Sequence, residues 1–270
     1  MGRTSIITIW ATTITNMLNE TYSFILAIVA AAAAGTVGAF ALMKRLALAG
    51  DVISHIALPG IGLAILYGVN PLLGGAATLM LGIVIIWKLE NKTGLSTEVT
   101  VGVIFAASLA IGALVTPEEE LVEALFGGFG NLSFMEFVAG VVLGVAVVFS
   151  LWKMRDKLIV NLFSSELAAV SGVNLRALNL YFLIVFGLAV ILGVRFLGAL
   201  LMGSLIIIPA AAARQFTHTL GSFILVSSAI SIFSVVSGLI ISGAYGFNLG
   251  PAVVIIAAAV FALSLLKSGE

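Results

Sequence analysis

The chain has 270 residues, of which 61% are hydrophobic and 9% charged, and its mean hydropathy is +1.27. Soluble domains carry about 25% charged residues, so this composition excludes a soluble globular protein and indicates a polytopic protein of the lipid bilayer. A net charge of zero gives no indication of nucleic-acid binding, and the absence of cysteine excludes disulfides and thiolate metal sites. The predicted fold class is all-α, a transmembrane helical bundle that forms a single domain over residues 1–270.

Nine apolar segments approach or reach the length that spans a bilayer, about 20 residues. In chain order they cover 23–43, 51–68, 71–88, 99–116, 134–152, 178–194, 196–213, 220–243 and 251–267. Only Arg195 separates the sixth segment from the seventh, so these two form either a tight helical hairpin or one span followed by a re-entrant piece. We therefore predict eight or nine transmembrane helices. The run 5–18, which Thr and Asn residues interrupt, is predicted to be an interfacial lead-in to the first span.

Basic residues are concentrated in alternate connections between these segments. Ten of the twelve would share one side of the membrane: Lys44, Arg45, Lys88, Lys92, Lys153, Arg155, Lys157, Arg176, Arg214 and Lys267. Because cytoplasmic connections carry the excess of Lys and Arg, we predict a cell-membrane protein with its N-terminus outside and its C-terminus in the cytoplasm. This arrangement needs an odd number of crossings and favours nine. The acidic cluster of Glu118, Glu119, Glu120 and Glu123 falls on the opposite side.

The second segment opens with Gly-Asp-Val-Ile-Ser-His, which places a carboxylate and an imidazole at positions i and i+4. Asp51 and His55 then lie on one face of a helix and can contact the same small ligand. Ionisable groups in a membrane segment usually mark a transport or ion site, and this pair suits a divalent transition metal. Two structural alternatives stay open, Asp51 as a helix N-cap and His55 as a buried imidazole bonded to another helix. Pro59 is predicted to kink the segment, either to free carbonyl groups for a pathway or only for packing.

The longest predicted cytoplasmic connection, 153–176, mixes charged and apolar residues. Within it, Ser164 or Ser165 is predicted to cap a short helix that begins near Glu166, and Gly172 is predicted to end that helix. Such an amphipathic helix is either a docking element for another protein or a surface helix that only links two spans.

Four segments, taken together, resemble one family, the zinc/manganese permeases of bacterial and archaeal ABC transporters. Residues 50–60 are similar to the signature of the family's second helix, and residues 98–105 to the entry of its fourth helix. Residues 165–174 resemble its cytoplasmic coupling segment, and residues 196–214 its late Gly…Pro-Ala…Arg block. The four segments occur in the family's order with suitable spacing. Together they are therefore a more specific indication of the family than any single segment.

The resemblance implies the membrane-spanning subunit of an ATP-driven importer of divalent metal ions, zinc or manganese. The implied assembly is a homodimer of permeases with two cytoplasmic ATP-binding subunits and an extracytoplasmic metal-binding protein, and we expect no permanently bound cofactor. The implied metal contacts are Asp51 and His55. Contact with the ATP-binding subunits is implied for Glu166, Ala168 and Gly172, in a coupling segment at roughly 160–176. Since the sequence contains no Gly-x-x-x-x-Gly-Lys-[Ser/Thr] phosphate loop, the chain is not expected to be the ATP-hydrolysing enzyme.

A two-fold dimer offers a simple way to complete a metal site. One chain supplies Asp51 and His55, which amount to two ligands and one negative charge. If these helices meet at a dimer axis, two Asp and two His neutralise a divalent ion and suit tetrahedral coordination. We hypothesise that the ion passes through such a site.

Two other functions are considered. An ion-gradient-driven carrier would work without an ATPase, but the two halves of the sequence show no convincing pair of matched interrupted helices. An ABC permease for a metal chelate would not need charged ligands in its pathway, so Asp51 and His55 argue against it. A membrane enzyme is least expected, because no other cluster of acid–base or nucleophilic groups is present. The ligand set does not distinguish zinc from manganese or ferrous iron.

Overall fold

The computed structural model describes residues 2–46, 49–116 and 132–267 of the chain. These residues form α-helices joined by short connections, which confirms the predicted all-α fold. In chain order the helices are α1 (Gly2–Met43), α2 (Ala49–His55), α3 (Leu58–Leu66), α4 (Pro71–Thr93), α5 (Thr97–Val115), α6 (Phe134–Phe163), α7 (Ser165–Val170), α8 (Leu175–Leu197), α9 (Ala199–Phe216), α10 (Leu220–Tyr245) and α11 (Leu249–Lys267). The acidic cluster that begins at Glu118 lies outside the described residues.

Eight helical segments in the described part of the chain are long and apolar enough to cross a bilayer, with α2 and α3 together counting as one. The apolar stretch Leu201–Phe216 of α9 adds a shorter ninth. The prediction of eight or nine helices is therefore confirmed. The boundary between the sixth and seventh predicted segments is at Gly198 instead of Arg195, because Gly198 has φ 84° and ψ 158°, a conformation open mainly to glycine.

The centre of the bundle is α1, which packs against α6, α8, α9 and α10. Four of the five alanines at positions 30–34 of α1 have no exposed area: Ala30, Ala31, Ala33 and Ala34. Small side chains let helix backbones approach closely, which is how helices associate in lipid. At Gly38 the backbone of α9 comes so near that an added Cβ would collide with the carbonyl oxygen of Ile206.

Residues 5–18 form the N-terminal part of α1, and their interfacial position stays a prediction. One predicted boundary is wrong. The predicted connection that starts at Lys153 is helical at first, because α6 continues to Phe163. Charged residues end an apolar run without ending a helix, and the Lys, Arg, Met and Leu residues in this stretch are good helix formers.

A partly buried polar cluster joins four helices at one end of the bundle. Lys44 Nζ donates to Asn179 Oδ1 at 2.9 Å, and Asn179 Nδ2 donates to Glu90 Oε2 at 2.8 Å. Thr97, at the start of α5, donates to Glu90 Oε1 at 2.9 Å. Burial lowers the pKa of Lys44 to about 8, and the Glu90 carboxylate opposes this shift. The cluster brings the C-terminal ends of α1 and α4 together with the N-terminal ends of α5 and α8. The basic residues near these four helix ends therefore lie at one end of the bundle, which agrees with the prediction that they share one side of the membrane.

Candidate functional site

The second span is interrupted just after the predicted site residues. Helix α2 ends at His55 and α3 begins at Leu58, and the two residues between them bond to acceptors only three positions back, with Ile56 N–H to Ile53 at 3.1 Å. Pro59 has no N–H to donate to the His55 carbonyl, so a continuous helix would lose a hydrogen bond here. The Thr78 hydroxyl of α4 lies 3.4 Å from the Ala57 carbonyl oxygen at the break. The predicted kink is therefore confirmed, and it is a full break two residues before Pro59.

The structure brings the two predicted metal ligands together. His55 Nε2 lies 3.8 Å from Asp51 Oδ1, and 48% of the Asp51 side chain is exposed against 14% of the His55 side chain. The helix begins at Ala49, so Asp51 lies inside the first turn and is not the N-cap. Its carboxylate is thus free of that structural role and is open to a ligand from one side.

The spacing of the pair matches what one metal ion requires. Zinc–ligand distances of about 2.1 Å in a tetrahedral site separate two ligand atoms by about 3.4 Å. The observed 3.8 Å between Nε2 and Oδ1 needs a shift of only a few tenths of an ångström to meet that value. The distance between Asp51 and His55 is therefore compatible with contact to one shared ion.

Packing holds the imidazole of His55 in place. Its Nδ1 atom is buried and makes no hydrogen bond within the described residues, so the alternative of an imidazole bonded to a neighbouring helix is not observed. The ring lies 5.7 Å from the Phe105 ring of α5, centroid to centroid, at an interplanar angle of 54°. Aromatic contact from one side leaves Nε2 directed to the Asp51 carboxylate.

A glycine of α9 sets the position of Asp51. A Cβ added to Gly203 would lie 2.6 Å from both Cα and Cβ of Asp51 and 2.8 Å from its Oδ1. Helix α2 rests directly on α9 at this point, and Gly50 makes the adjacent approach to Ile206. Nothing in the sequence distinguishes Gly203 from the other 28 glycines, because the contact depends on how two helices meet.

Asp51 and His55 stand as a pair in the part of the chain that the structure describes. No group of three or more His, Asp or Glu side chains comes together there. A structural zinc site usually has four ligands, so the pair alone is fewer than such a site contains. The Asp51 side chain is half exposed, which leaves it accessible to further groups.

The predicted docking helix is present at the same end of the bundle as the basic residues of α6. Helix α7 is capped by the Ser164 hydroxyl, which accepts a hydrogen bond from Leu167 N–H at 3.2 Å, and Gly172 ends it with φ 78°. Glu166 is exposed, whereas Ala168 is fully buried and anchors the helix against α6 and α8. The side chain of Ala168 is thus covered by the chain itself, and its contact with an ATP-binding subunit stays a prediction.

Apolar side chains that the sequence did not single out dominate the exposed surface of this helix. The side chains of Leu167 and Val170 are 63% and 87% exposed, and Phe163, just before the helix, is 87% exposed. Leu167 and Val170 follow the end of α6 and lie outside the predicted spans. Large apolar groups exposed outside the hydrocarbon layer are typical of a protein–protein contact.

Comparison with known proteins agrees with this architecture. A model of the ABC 3 transport family matches residues 16–268. The high-affinity zinc uptake system membrane protein ZnuB of Haemophilus influenzae is 34% identical over 239 residues, which cover 85% of this chain and 90% of that protein. The manganese import system permease protein ScaB of Streptococcus gordonii is 26% identical over 246 residues, or 90% of this chain and 88% of that protein. The solved structure of PsaBC from Streptococcus pneumoniae in complex with Fab has a TM-score of 0.79 and 25% identity, and covers 91% of this chain and 90% of that chain.

Proposed function

Because the chain belongs to the ABC 3 transport family, we propose that it is the membrane-spanning subunit of an ATP-driven importer of zinc or manganese ions. The observation that carries the proposal is the Asp51–His55 pair, 3.8 Å apart at a helix break inside an apolar bundle. The names of the relatives support the metal, since one imports zinc and another manganese. A site with these ligands is compatible with either of the two ions.

The ion is proposed to bind between two copies of the chain. A divalent ion that leaves water must exchange its hydration shell for fixed ligands, and its charge must be offset in the low-dielectric interior. Two Asp51 carboxylates supply two negative charges, and two His55 imidazoles complete a four-coordinate shell. The half-exposed Asp51 side chain supports this arrangement, because a second copy can reach it.

The energy is proposed to come from separate ATP-binding subunits that dock on α7. The exposed side chains of Leu167, Val170 and Glu166 support this assignment, with Ala168 and Gly172 fixing the shape of the segment. The distribution of basic residues supports the proposal that this end and the C-terminus face the cytoplasm and that the N-terminus lies outside the cell. An extracytoplasmic metal-binding protein would then deliver the ion from the opposite side.

The two alternative functions have less support. An ion-gradient-driven carrier would have no use for a docking helix, and membership in an ABC transporter family argues against it. A permease for a metal chelate would leave the Asp51 carboxylate, a costly charge in a membrane segment, without a purpose.

Uptake of radiolabelled zinc and manganese, in cells that express the chain with its ATPase, tests the proposal. We expect ATP-dependent uptake of one ion in the wild type, and its loss in His55→Ala, because the variant lacks a nitrogen ligand from each copy. The matched control is His218→Ala, which removes the other of the chain's two histidines from an exposed position after α9.

The control variant is expected to transport like the wild type. Unchanged uptake in His55→Ala would make His55 a structural residue and would contradict the metal assignment. Uptake that persists when the ATPase is omitted would support the gradient-driven carrier instead.

Docking through α7 predicts that Leu167→Asp abolishes association with the ATP-binding subunit. The substitution places a charge on the apolar surface of the helix, where it would have to be desolvated in the contact. We expect co-purification of the ATPase to fall by about tenfold or more, since an unpaired buried charge costs well over 1.4 kcal/mol. Leu167→Met keeps the apolar surface and should bind normally, and intact co-purification of Leu167→Asp would exclude this surface as the contact.

A further inference from the structure

An apolar groove of about 430 Å³ lies on the outer surface of the bundle between α1 and α6. The residues that line it are Val29, Ala32, Gly144, Val145, Val148, Phe149 and Trp152. Gly144 is buried and Ala32 half-buried, so they form its base. Val145, Phe149 and Trp152 are each more than half exposed and form its outer wall.

The groove is separate from the metal site. The groove is lined by residues of α1 and α6, and neither Asp51 nor His55 is among them. Helix α2, which carries Asp51, packs mainly against α5, α8 and α9.

The depth of the groove matches one leaflet of a bilayer. Gly144 and Trp152 are eight residues apart on α6, which is about 12 Å along a helix and fits within the roughly 15 Å of one hydrocarbon leaflet. Trp152 is followed at once by Lys153, so the groove ends where the apolar part of α6 meets charged residues. Tryptophan is the residue that membrane proteins favour at this boundary.

The positively charged side chain of Arg155 lies at the polar end of the groove. The Arg155 guanidinium carbon lies 5.1 Å from the centre of the Trp152 ring, and 42% of the Arg155 side chain is exposed. Arg155 contacts Asp156 through Nε at 3.3 Å. Lys153 and Lys157 are also exposed, so residues 153–157 carry three positive charges and one negative charge.

We propose that this groove binds an anionic phospholipid, with one acyl chain against α1 and α6 and the phosphate at Arg155. An acyl chain needs no hydrogen bonds, which suits walls that offer none. Phosphate oxygens accept parallel hydrogen bonds from a guanidinium, and basic residues near the membrane surface attract anionic lipids. The proposal does not depend on which metal the chain carries.

The apolar walls of the groove suit an acyl chain better than an extended peptide. An extended peptide would leave its backbone N–H and C=O groups without partners in the hydrocarbon layer. An acyl chain has no such groups, and occupation by a helix of a second copy is an outcome of the test below.

Native mass spectrometry of the full chain in detergent tests the proposal, with phosphatidylglycerol and phosphatidylethanolamine of the same acyl chains as probes. We expect the wild type to retain phosphatidylglycerol preferentially. Arg155→Gln should weaken that binding by about fivefold, the worth of one basic residue near an anionic surface. Val145→Trp should fill the groove from its exposed side and remove bound lipid of either kind.

Two matched controls distinguish an effect on the groove from general effects of added bulk on α6 or of a lost positive charge. Val142→Trp adds the same bulk at a position of α6 that is 61% exposed and outside the groove, and Lys92→Gln removes an exposed positive charge from α4. Both should bind lipid like the wild type. The proposal would be overturned by equal binding of the two lipids or by retention of phosphatidylglycerol in Val145→Trp. Conversion of dimers to monomers by Val145→Trp would also overturn it, in favour of a second copy of the chain as the occupant of the groove.

Discussion

Asp51→Asn should abolish metal uptake while the protein still inserts into the membrane. The substitution keeps the size of the side chain and removes one negative charge from each copy, so a divalent ion at the proposed site would be left without its counter-charge. Loss of one partner from a buried charge pair costs about 3–5 kcal/mol, and 1.4 kcal/mol is a factor of ten. We expect uptake to fall by about a hundredfold or more, measured with the labelled ion in cells that express the full transporter.

Glu98→Gln is the matched control for this prediction. Glu98 is exposed in the first turn of α5, where its carboxylate complements the helix dipole, and its replacement removes the same charge without touching the pair. It should leave uptake near the wild-type level. Full uptake by Asp51→Asn, with normal amounts of protein in the membrane, would show that the carboxylate is not a ligand.

Gly203→Ala should weaken metal binding although it changes neither ligand. The added methyl group would lie 2.6 Å from Asp51 Cα, so α2 has to move away from α9 at the residue that carries the carboxylate. Overpacking of this kind costs about 1–3 kcal/mol, and a site displaced by about 1 Å loses much of its function. We expect metal affinity to fall by about tenfold or more, measured by metal titration of the purified permease in detergent.

The control for Gly203→Ala is Gly221→Ala in α10, where an added Cβ meets nothing within 4 Å. This variant should bind metal normally and unfold at the same temperature as the wild type. Wild-type affinity in Gly203→Ala would mean that the contact between α2 and α9 does not set the position of the carboxylate.

The sequence was sufficient for features that depend on local spacing. The separation of Asp51 and His55 by four residues predicted a shared helix face, and the structure places their side chains 3.8 Å apart. Ser164 and Gly172 predicted the limits of a short helix, because a capping hydroxyl and a residue with positive φ are local requirements.

Features that depend on how distant helices meet were not predictable. The close approach of Gly203 to Asp51 joins α9 to α2, and nothing near Gly203 in the sequence marks it. The hydrogen bonds from Lys44 to Asn179 and from Asn179 to Glu90 connect residues separated by 135 and 89 positions. Ala168 appeared in the sequence to be a contact residue, yet tertiary packing buries it and exposes Leu167.

The number of zinc ions bound per chain, in the purified dimeric permease without its ATPase, tests the central claim most directly. If Asp51 and His55 from two copies form one site, metal analysis should give one tightly bound ion for every two chains, and Asp51→Asn should remove it. One ion for every chain, retained in Asp51→Asn, would contradict a shared site at the dimer axis and would require a different set of ligands.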